Sequence, residues 1–156
     1  MNTKNLKIAV IGLGYVGLPL AIEFSKKRNV LAYDKNPERI KELNLGFDRN
    51  NEISKSKLKK SKLIKYTNNH KTIENCNCFI VTVPTPVNAK KKPDFSYIKR
   101  ACKIVGKYLK KNNIVIFEST VYPGATEEIC VPILEKTSKL KYNIDFYCGY
   151  SPERIN

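Results

Sequence analysis

Three glycines near the amino terminus have a spacing that could bind phosphate. Gly12, Gly14 and Gly17 form the pattern G-x-G-x-x-G within "IAVIGLGYVG". The pattern is weak alone, but an apolar, β-branched run precedes it and helix-like apolar spacing follows it. The first glycine then permits a tight turn, the second lets the backbone approach a pyrophosphate, and the third lets helix and strand pack closely. Because a helix amino terminus carries free N–H groups and partial positive charge, this stretch predicts a phosphate cradle.

An acidic residue follows at the distance that a dinucleotide site requires. Asp34 ends a second short apolar run, twenty residues after Gly14. A carboxylate there accepts hydrogen bonds from both ribose hydroxyls of an adenosine and repels a 2′-phosphate, so it favours NAD over NADP. Lys35 and Arg39 weaken this preference, because a basic neighbour could hold a 2′-phosphate. The alternative interpretation is an ordinary glycine turn with an acid placed by chance.

Polar residues also end two later apolar runs. Thr82, Pro84, Thr85 and Pro86 end the fourth predicted strand, and residues 118–120 end the fifth. Both sets should lie at the same sheet edge as the glycines, since parallel strands bring their carboxyl ends together. Their hydroxyls could reach phosphates or a nicotinamide amide, although Thr and Pro are also ordinary turn formers. The spacing leaves both interpretations open.

The elements that must position these residues alternate along the chain. Strands are predicted at residues 6–12, 29–34, 63–66, 78–84, 113–120 and 144–150. Helices are predicted at 18–28, 36–44, around 70–74, over 95–111, and over 123–139 with a kink at Pro132, whereas 46–61 is predicted as a loop with a basic helical turn. This alternation predicts a Rossmann-type α/β fold, with a doubly wound, mostly parallel sheet and helices on both faces.

Composition limits the class of protein. With 156 residues and 42% apolar content, the chain can form one domain with a sizeable core. The uncharged run over 8–22 is too short for a membrane span and contains the glycines, so we expect a cytoplasmic protein without a membrane partner. The five cysteines are an odd number without metal-ligand spacing, which favours buried free thiols and no metal site.

The chain is strongly basic. There are 29 lysines and arginines against 14 aspartates and glutamates, a formal net charge of +15. The densest run, residues 55–65, lacks aromatic partners and a nucleic-acid-reading element nearby. It therefore favours solvated lysines on a short helix, with a nucleic-acid surface as the alternative. The positive field would still help to capture an anionic ligand.

Five motifs occur in a recognisable order: "GLGYVGLPLA", "VTVPTP", "PDFSYI", "ESTVYPGATEE" and "GYSPERIN". Through them nearly all of the chain resembles the N-terminal NAD-binding domain of the UDP-glucose/GDP-mannose dehydrogenase family. "VYPGATEE" and "GYSPERIN" make it most similar to the bacterial UDP-N-acetylhexosamine 6-dehydrogenases of capsule and O-antigen synthesis. UDP-glucose and UDP-N-acetylmannosamine dehydrogenases are the alternatives within the family.

The resemblance implies a cofactor, a substrate and roles for particular residues. Members of the family oxidise the C6 alcohol of a UDP-sugar to a carboxylate through two hydride transfers to NAD, with a lysine and a nucleophilic cysteine. Carried over by motif, Gly12, Gly14, Tyr15, Val16 and Gly17 would face the pyrophosphate, Asp34 and Lys35 the adenosine ribose, and Thr85 and Thr120 the nicotinamide half. Thr120 would also help to hold the catalytic water, and Glu153 would act as a general acid or base beside it.

The resemblance also implies that residues 1–156 are one part of a longer enzyme. The family's catalytic cysteine lies in a glycine-rich motif far downstream and its lysine in a central helical region, and neither motif occurs here. We therefore expect a cofactor domain that binds NAD without oxidising a sugar, and a whole protein that is a homodimer. Another dehydrogenase of the β-hydroxyacid or 6-phosphogluconate type, and a nucleotide-sensing module without catalysis, remain alternatives.

Overall fold

The computed structural model describes residues 5–87 and 91–151. In this part of the chain six strands form one sheet: β1 (Ile8–Ile11), β2 (Val30–Tyr33), β3 (Ile64–Thr67), β4 (Cys78–Val81), β5 (Asn113–Phe117) and β6 (Phe146–Tyr150). Their order is β3-β2-β1-β4-β5-β6, and every adjacent pair is parallel. The predicted doubly wound α/β fold is thus confirmed. The chain reverses its direction of winding between β1 and β4, which opens a crevice at their carboxyl ends.

Helices connect the strands and cover both faces of the sheet. They are α1 (Gly17–Ser25), α2 (Pro37–Asn44), α3 (Lys55–Lys60), a 3₁₀ helix (His70–Asn75), α4 (Ser96–Gly106) and α5 (Val131–Ser138). A π-helical turn over Thr126–Cys130 runs directly into α5. The irregularity predicted at Pro132 is thus found as this π-helical turn, and Pro132 follows it as the second residue of α5, where it has no N–H to donate to the preceding turn.

Alternate strand residues pack into two separate cores. Ala9 and Ile11 face the core formed with α4 and α5, whereas Ile8 and Val10 face the core formed with α1, α2 and α3. All four residues of β1, like those of β4, are buried. Burial on both faces explains why these strands are continuous apolar runs in the sequence.

All five cysteines are free. Four of them are buried and Cys148 is half-buried, so the prediction of buried thiols is confirmed for the four. Within residues 5–87 and 91–151, no three histidine, cysteine, aspartate or glutamate side chains are grouped as metal ligands. No helix in the described chain has the length and hydropathy to cross a membrane.

Candidate functional site

The glycine turn between β1 and α1 needs two of its glycines for its own geometry. Gly12 has φ +100°, and a Cβ there would lie 3.1 Å from Val83 Cγ1. A Cβ on Gly17 would overlap the carbonyl oxygen of Gly12 and the hydroxyl of Thr82. Only glycine fits either position, because the first requires a left-handed backbone and the second a direct contact between helix and turn.

Gly14 differs from the other two glycines. A Cβ at this position would have no atom within 4 Å, so the surface beside Gly14 is open. Nearby, α1 begins after Val16 without a side-chain cap. In the first turn the N–H of Leu18 donates to the carbonyl oxygen of Gly14 at 3.3 Å and Pro19 has no N–H. The electropositive end of the helix, beside the open surface at Gly14, still suits an anion.

The carboxylate of Asp34 bridges the glycine turn and the start of α2. Its Oδ2 accepts a hydrogen bond of 2.8 Å from the N–H of Leu13, and its Oδ1 accepts one of 2.9 Å from the N–H of Asn36. A carboxylate can accept about four hydrogen bonds, so each oxygen keeps capacity for a ribose hydroxyl. Asp34 therefore shapes the turn and also presents an acceptor beside it.

The Arg39 side chain is buried and contacts the glycine turn. It is 6% exposed, its Nε donates to the carbonyl oxygen of Leu13 at 2.9 Å, and its Nη2 lies 2.7 Å from Asp48 Oδ1. The sequence suggested that Arg39 could hold a 2′-phosphate. In the structure this guanidinium instead forms an internal ion pair with Asp48.

Asp48 is the buried partner of Arg39. Burial alone would raise the pKa of this carboxyl, but the Arg39 guanidinium and the backbone N–H groups of Ile53 and Asn50 outweigh it and lower the pKa. The ionised form is therefore the one that the fold stabilises, as expected for a buried carboxylate with a cationic partner.

A cavity of about 320 Å³ lies beside the turn, at the carboxyl edge of the sheet. Its walls come from the glycine turn, the ends of β2 and β4, the segment after α2, and α4. Val83, Ala101 and Ile104 supply apolar surface to the cavity that Asp34 also lines. A flat apolar ring with an attached sugar, such as an adenosine, suits a cavity that combines apolar surface with a carboxylate.

Two cations and one aromatic ring stand at this cavity. Lys35 Nζ lies 4.9 Å from the centroid of the Tyr97 ring, and the guanidinium carbon of Arg100 lies 5.0 Å from the same centroid. All three residues line the cavity. The ring thus contacts both positive charges, an arrangement that cation–π attraction favours.

The segments after β4 and β5 are joined by hydroxyl groups. Thr85 donates a hydrogen bond to the carbonyl oxygen of Thr120, and Ser119 donates one of 2.8 Å to the carbonyl oxygen of Val83. Thr82 donates to the carbonyl oxygen of Gly12 at 2.8 Å and so ties the end of β4 to the glycine turn. The structure therefore brings Thr85 and Thr120 together at the edge that carries the cavity.

The remaining residues singled out from the sequence have different positions. Tyr15 is 67% exposed beside the open surface of Gly14, and Val16 is half-buried. Glu153 lies outside the described residues. The roles of these three residues stay predictions.

Tyr97 and Arg100 also line the cavity, although the sequence pattern does not identify them as site residues. Tyr97 lies in the motif "PDFSYI" and Arg100 follows two residues after it, and the spacing of α4 shows one apolar face. Because the cavity-facing residues lie at the margin of that face, helical periodicity alone does not assign them to a site.

Comparison with known proteins places this chain in a family. Residues 6–156 match the profile of the UDP-glucose/GDP-mannose dehydrogenase family, NAD binding domain. The chain belongs to this family. UDP-N-acetyl-D-glucosamine 6-dehydrogenase of Pseudomonas aeruginosa is 56% identical over 153 residues, which cover 98% of this chain and 36% of that protein. The enzyme of the same name from Salmonella typhi is 52% identical over 151 residues and is covered to 36%.

Solved structures of the dehydrogenase family share this fold. The UDP-D-ManNAc dehydrogenase of Pyrococcus horikoshii superimposes with a TM-score of 0.89 at 36% identity, covering 97% of this chain and 37% of that one. The GDP-mannose dehydrogenase of Pseudomonas aeruginosa gives a TM-score of 0.88 at 25% identity, with 97% and 37% covered. The chain spans little more than a third of the length of these relatives.

Proposed function

We propose that this chain is the cofactor domain of an NAD-dependent nucleotide-sugar dehydrogenase and binds NAD in the cavity beside the glycine turn. The open surface at Gly14, next to the Asp34 carboxylate, carries the proposal. A pyrophosphate could approach the backbone there without meeting a side chain, and the ribose hydroxyls would lie within reach of an acceptor.

We assign the two halves of NAD to different residues. The pyrophosphate would lie against the turn from Gly12 to Gly17 and the exposed Tyr15, and the adenosine ribose would lie at Asp34 and Lys35. The nicotinamide would extend toward the joined segments of Thr85 and Thr120. When bound, NAD supplies a hydride acceptor, and the residues of this chain bind and orient it.

The proposed activity of the whole protein is oxidation of the C6 alcohol of a UDP-N-acetylhexosamine to a uronic acid. The relatives named UDP-N-acetyl-D-glucosamine 6-dehydrogenase, at 56% and 52% identity, support this substrate. Thr120 and Glu153 would hold and activate the catalytic water. UDP-N-acetyl-D-mannosamine is the alternative substrate, since the structurally similar Pyrococcus enzyme is named for it.

The cysteines of this chain are poor candidates for the nucleophile. Burial raises the pKa of the Cys76 thiol to about 11 and that of Cys148 to about 12, so both stay protonated near neutral pH. We therefore propose that the covalent step needs residues from the rest of the enzyme, and that the 156 residues alone bind NAD without oxidising a sugar.

We further propose a cytoplasmic homodimer for the whole protein, with neither nucleic acid nor a membrane as partner. The α3 lysines support the absence of a nucleic-acid partner, because that helix is a single short segment whose one buried side chain is Leu58. Its exposed charges have no aromatic neighbours in sequence on which bases could stack.

A titration of the chain with NADH and then NADPH tests the proposed function. Nicotinamide fluorescence reports binding, and the absence of tryptophan keeps the signal simple. We expect saturable NADH binding that weakens about tenfold or more in Asp34→Ala, because the ribose loses charge-assisted hydrogen bonds. Thermal unfolding of the variant controls for the loss of the Leu13 contact. A wild-type chain that binds neither dinucleotide would overturn the proposal.

A further inference from the structure

Arg49 is held by a carboxylate at the mouth of the proposed adenosine cavity. Its Nε donates to Glu42 Oε2 at 2.7 Å, and its Nη2 donates to Glu42 Oε1 at 2.7 Å. Glu38 adds a second acidic group, with its Oε2 4.0 Å from the same Nη2. This bidentate contact occupies the Nε–Nη2 edge of the guanidinium, which could otherwise bind a phosphate.

Arg49 is close enough to the cofactor site to matter for its selectivity. It lines the same cavity as Asp34 and Lys35. Hydrogen bonding to Glu42 is the main cause that raises the pKa of Arg49, and the charge of Asp34 contributes as well. A phosphate on the 2′-oxygen of a ribose bound at Asp34 would therefore lie within the electrostatic range of this guanidinium.

The other cations that line this cavity have contacts of other kinds. Arg39 is buried against Asp48 and Leu13. Lys35 and Arg100 both lie against the Tyr97 ring. Arg49 differs because a carboxylate of the neighbouring helix, Glu42, holds its guanidinium through two hydrogen bonds while its side chain is 41% exposed. Substituting Glu42 would remove both of its hydrogen bonds to Arg49 and leave Arg49 the 4.0 Å contact with Glu38. Arg39 would lose a 4.0 Å contact with Glu42 and keep Asp48.

We propose that Glu42 is a specificity-determining residue that favours NAD over NADP by holding Arg49 in an ion pair. This inference rests on the proposed function, since it needs the adenosine ribose at Asp34. Asp34 repels a 2′-phosphate directly, whereas Glu42 acts by withholding the guanidinium that could bind one.

The first test is the dissociation constant of NADH and of NADPH for the wild-type chain and for Glu42→Gln. We expect NADPH to bind about five- to tenfold more tightly to the variant, because the released guanidinium can form a charge-assisted contact with the phosphate. NADH should change by less than about twofold, since it has no 2′-phosphate. Glu42→Ala should give the same gain for NADPH and guards against a misfolded first variant.

Two further variants separate the ion pair from a general change of charge. Glu23→Gln removes the same charge from an exposed pair with Lys26 on α1, away from the residues that line the cavity, and should leave NADPH binding unchanged. Glu42→Gln combined with Arg49→Gln should lose the gain, because the released cation is gone. The gain should also shrink with added salt.

Each result decides the inference. It is overturned if both Glu42 variants bind NADPH like the wild type, if Glu23→Gln gives an equal gain, or if the double variant keeps the gain. In these cases wild-type NADH binding would leave the proposed function intact. A wild-type chain that binds neither dinucleotide would overturn both.

Discussion

The backbone of Leu13 is held by side chains on both sides. Its N–H donates to Asp34, and its carbonyl oxygen accepts from Arg39. Hydrogen bonds to charged groups contribute about 1.5–3 kcal/mol each, more than those between neutral groups. Asp34 therefore has two tasks, since it fixes the glycine turn as well as facing the place proposed for the ribose. Thr82 completes the turn from the other side through Gly12.

The glycines of this turn should separate stability from cofactor binding. Gly14→Ala adds a Cβ into open space, so the free energy of unfolding should change by less than about 0.5 kcal/mol. NADH binding should nevertheless weaken about tenfold, because the Cβ stands where a pyrophosphate would approach. Gly17→Ala should cost about 3 kcal/mol or more of stability, since its Cβ overlaps Gly12 and Thr82.

Urea unfolding and NADH titration of the two variants check this pair of expectations. Equal losses of stability in both variants would contradict the different surroundings of the two glycines. Unaltered NADH binding by Gly14→Ala would contradict the placement of the pyrophosphate.

The segment between α2 and α3 is organised around one buried carboxylate. Asp48 accepts hydrogen bonds from the N–H groups of Asn50, Glu52 and Ile53 and pairs with Arg39. It thereby connects this segment to the glycine turn, which Arg39 also contacts. The segment carries Arg49, so the same network helps to place the residue proposed to affect cofactor selectivity.

Asp48→Asn should destabilise the fold in a pH-dependent way. At pH 7 we expect the free energy of unfolding to fall by about 3 kcal/mol, because the buried Arg39 would lose its close counter-charge and keep Glu42 at 4.0 Å. The folded protein lowers the pKa of Asp48 from its ordinary value of 3.8. The stabilisation by the ionised form is therefore present above about pH 4 and is lost as the pH falls through the folded-state pKa.

The difference in unfolding free energy between the wild type and Asp48→Asn, measured in urea from pH 7 to pH 3, tests this expectation. It should be constant down to about pH 5 and shrink below it. Glu52→Gln, an exposed change in the same segment, serves as the control and should alter stability by less than about 0.5 kcal/mol. A difference that grows in acid would contradict the proposed ion pair.

At the scale of the whole molecule, the two cores bury four of the five cysteine thiols. Hydrogen bonding to Cys130 and burial raise the pKa of Cys102, and burial raises that of Cys78. Burial also raises the pKa of Cys76 to about 11 and that of Cys148 to about 12. Thiols in this state are poor nucleophiles, because the thiolate is the reactive form.

Labelling with Ellman's reagent at pH 8 should therefore be slow in the folded chain. All five cysteines should react in urea, where burial no longer limits access or ionisation. The raised pKa values also predict that stability is unaffected by the thiols below about pH 9 and falls as the pH rises toward 11 or 12, because the unfolded chain ionises first. Rapid native reaction of one thiol would contradict its burial.

Local patterns in the sequence determined the order of the elements, the glycine turn and the place of Asp34. These features depend on periodicity and spacing over a few residues, so one strand, turn and helix suffice to recognise them. The ends of elements were less accurate: the helix predicted over 95–111 ends at Gly106, since glycine lowers helix propensity there.

Only the tertiary structure decided which polar groups are available. Arg39 and Lys35 are both basic neighbours of Asp34 in sequence, yet one is buried with Asp48 and the other contacts Tyr97. Thr85 and Thr120 are joined although 35 residues separate them. Such contacts form between elements that the sheet topology brings together, and a side chain's burial and partners depend on that packing. The sequence pattern therefore identifies candidate residues of a site, whereas the tertiary structure determines which groups each of them contacts.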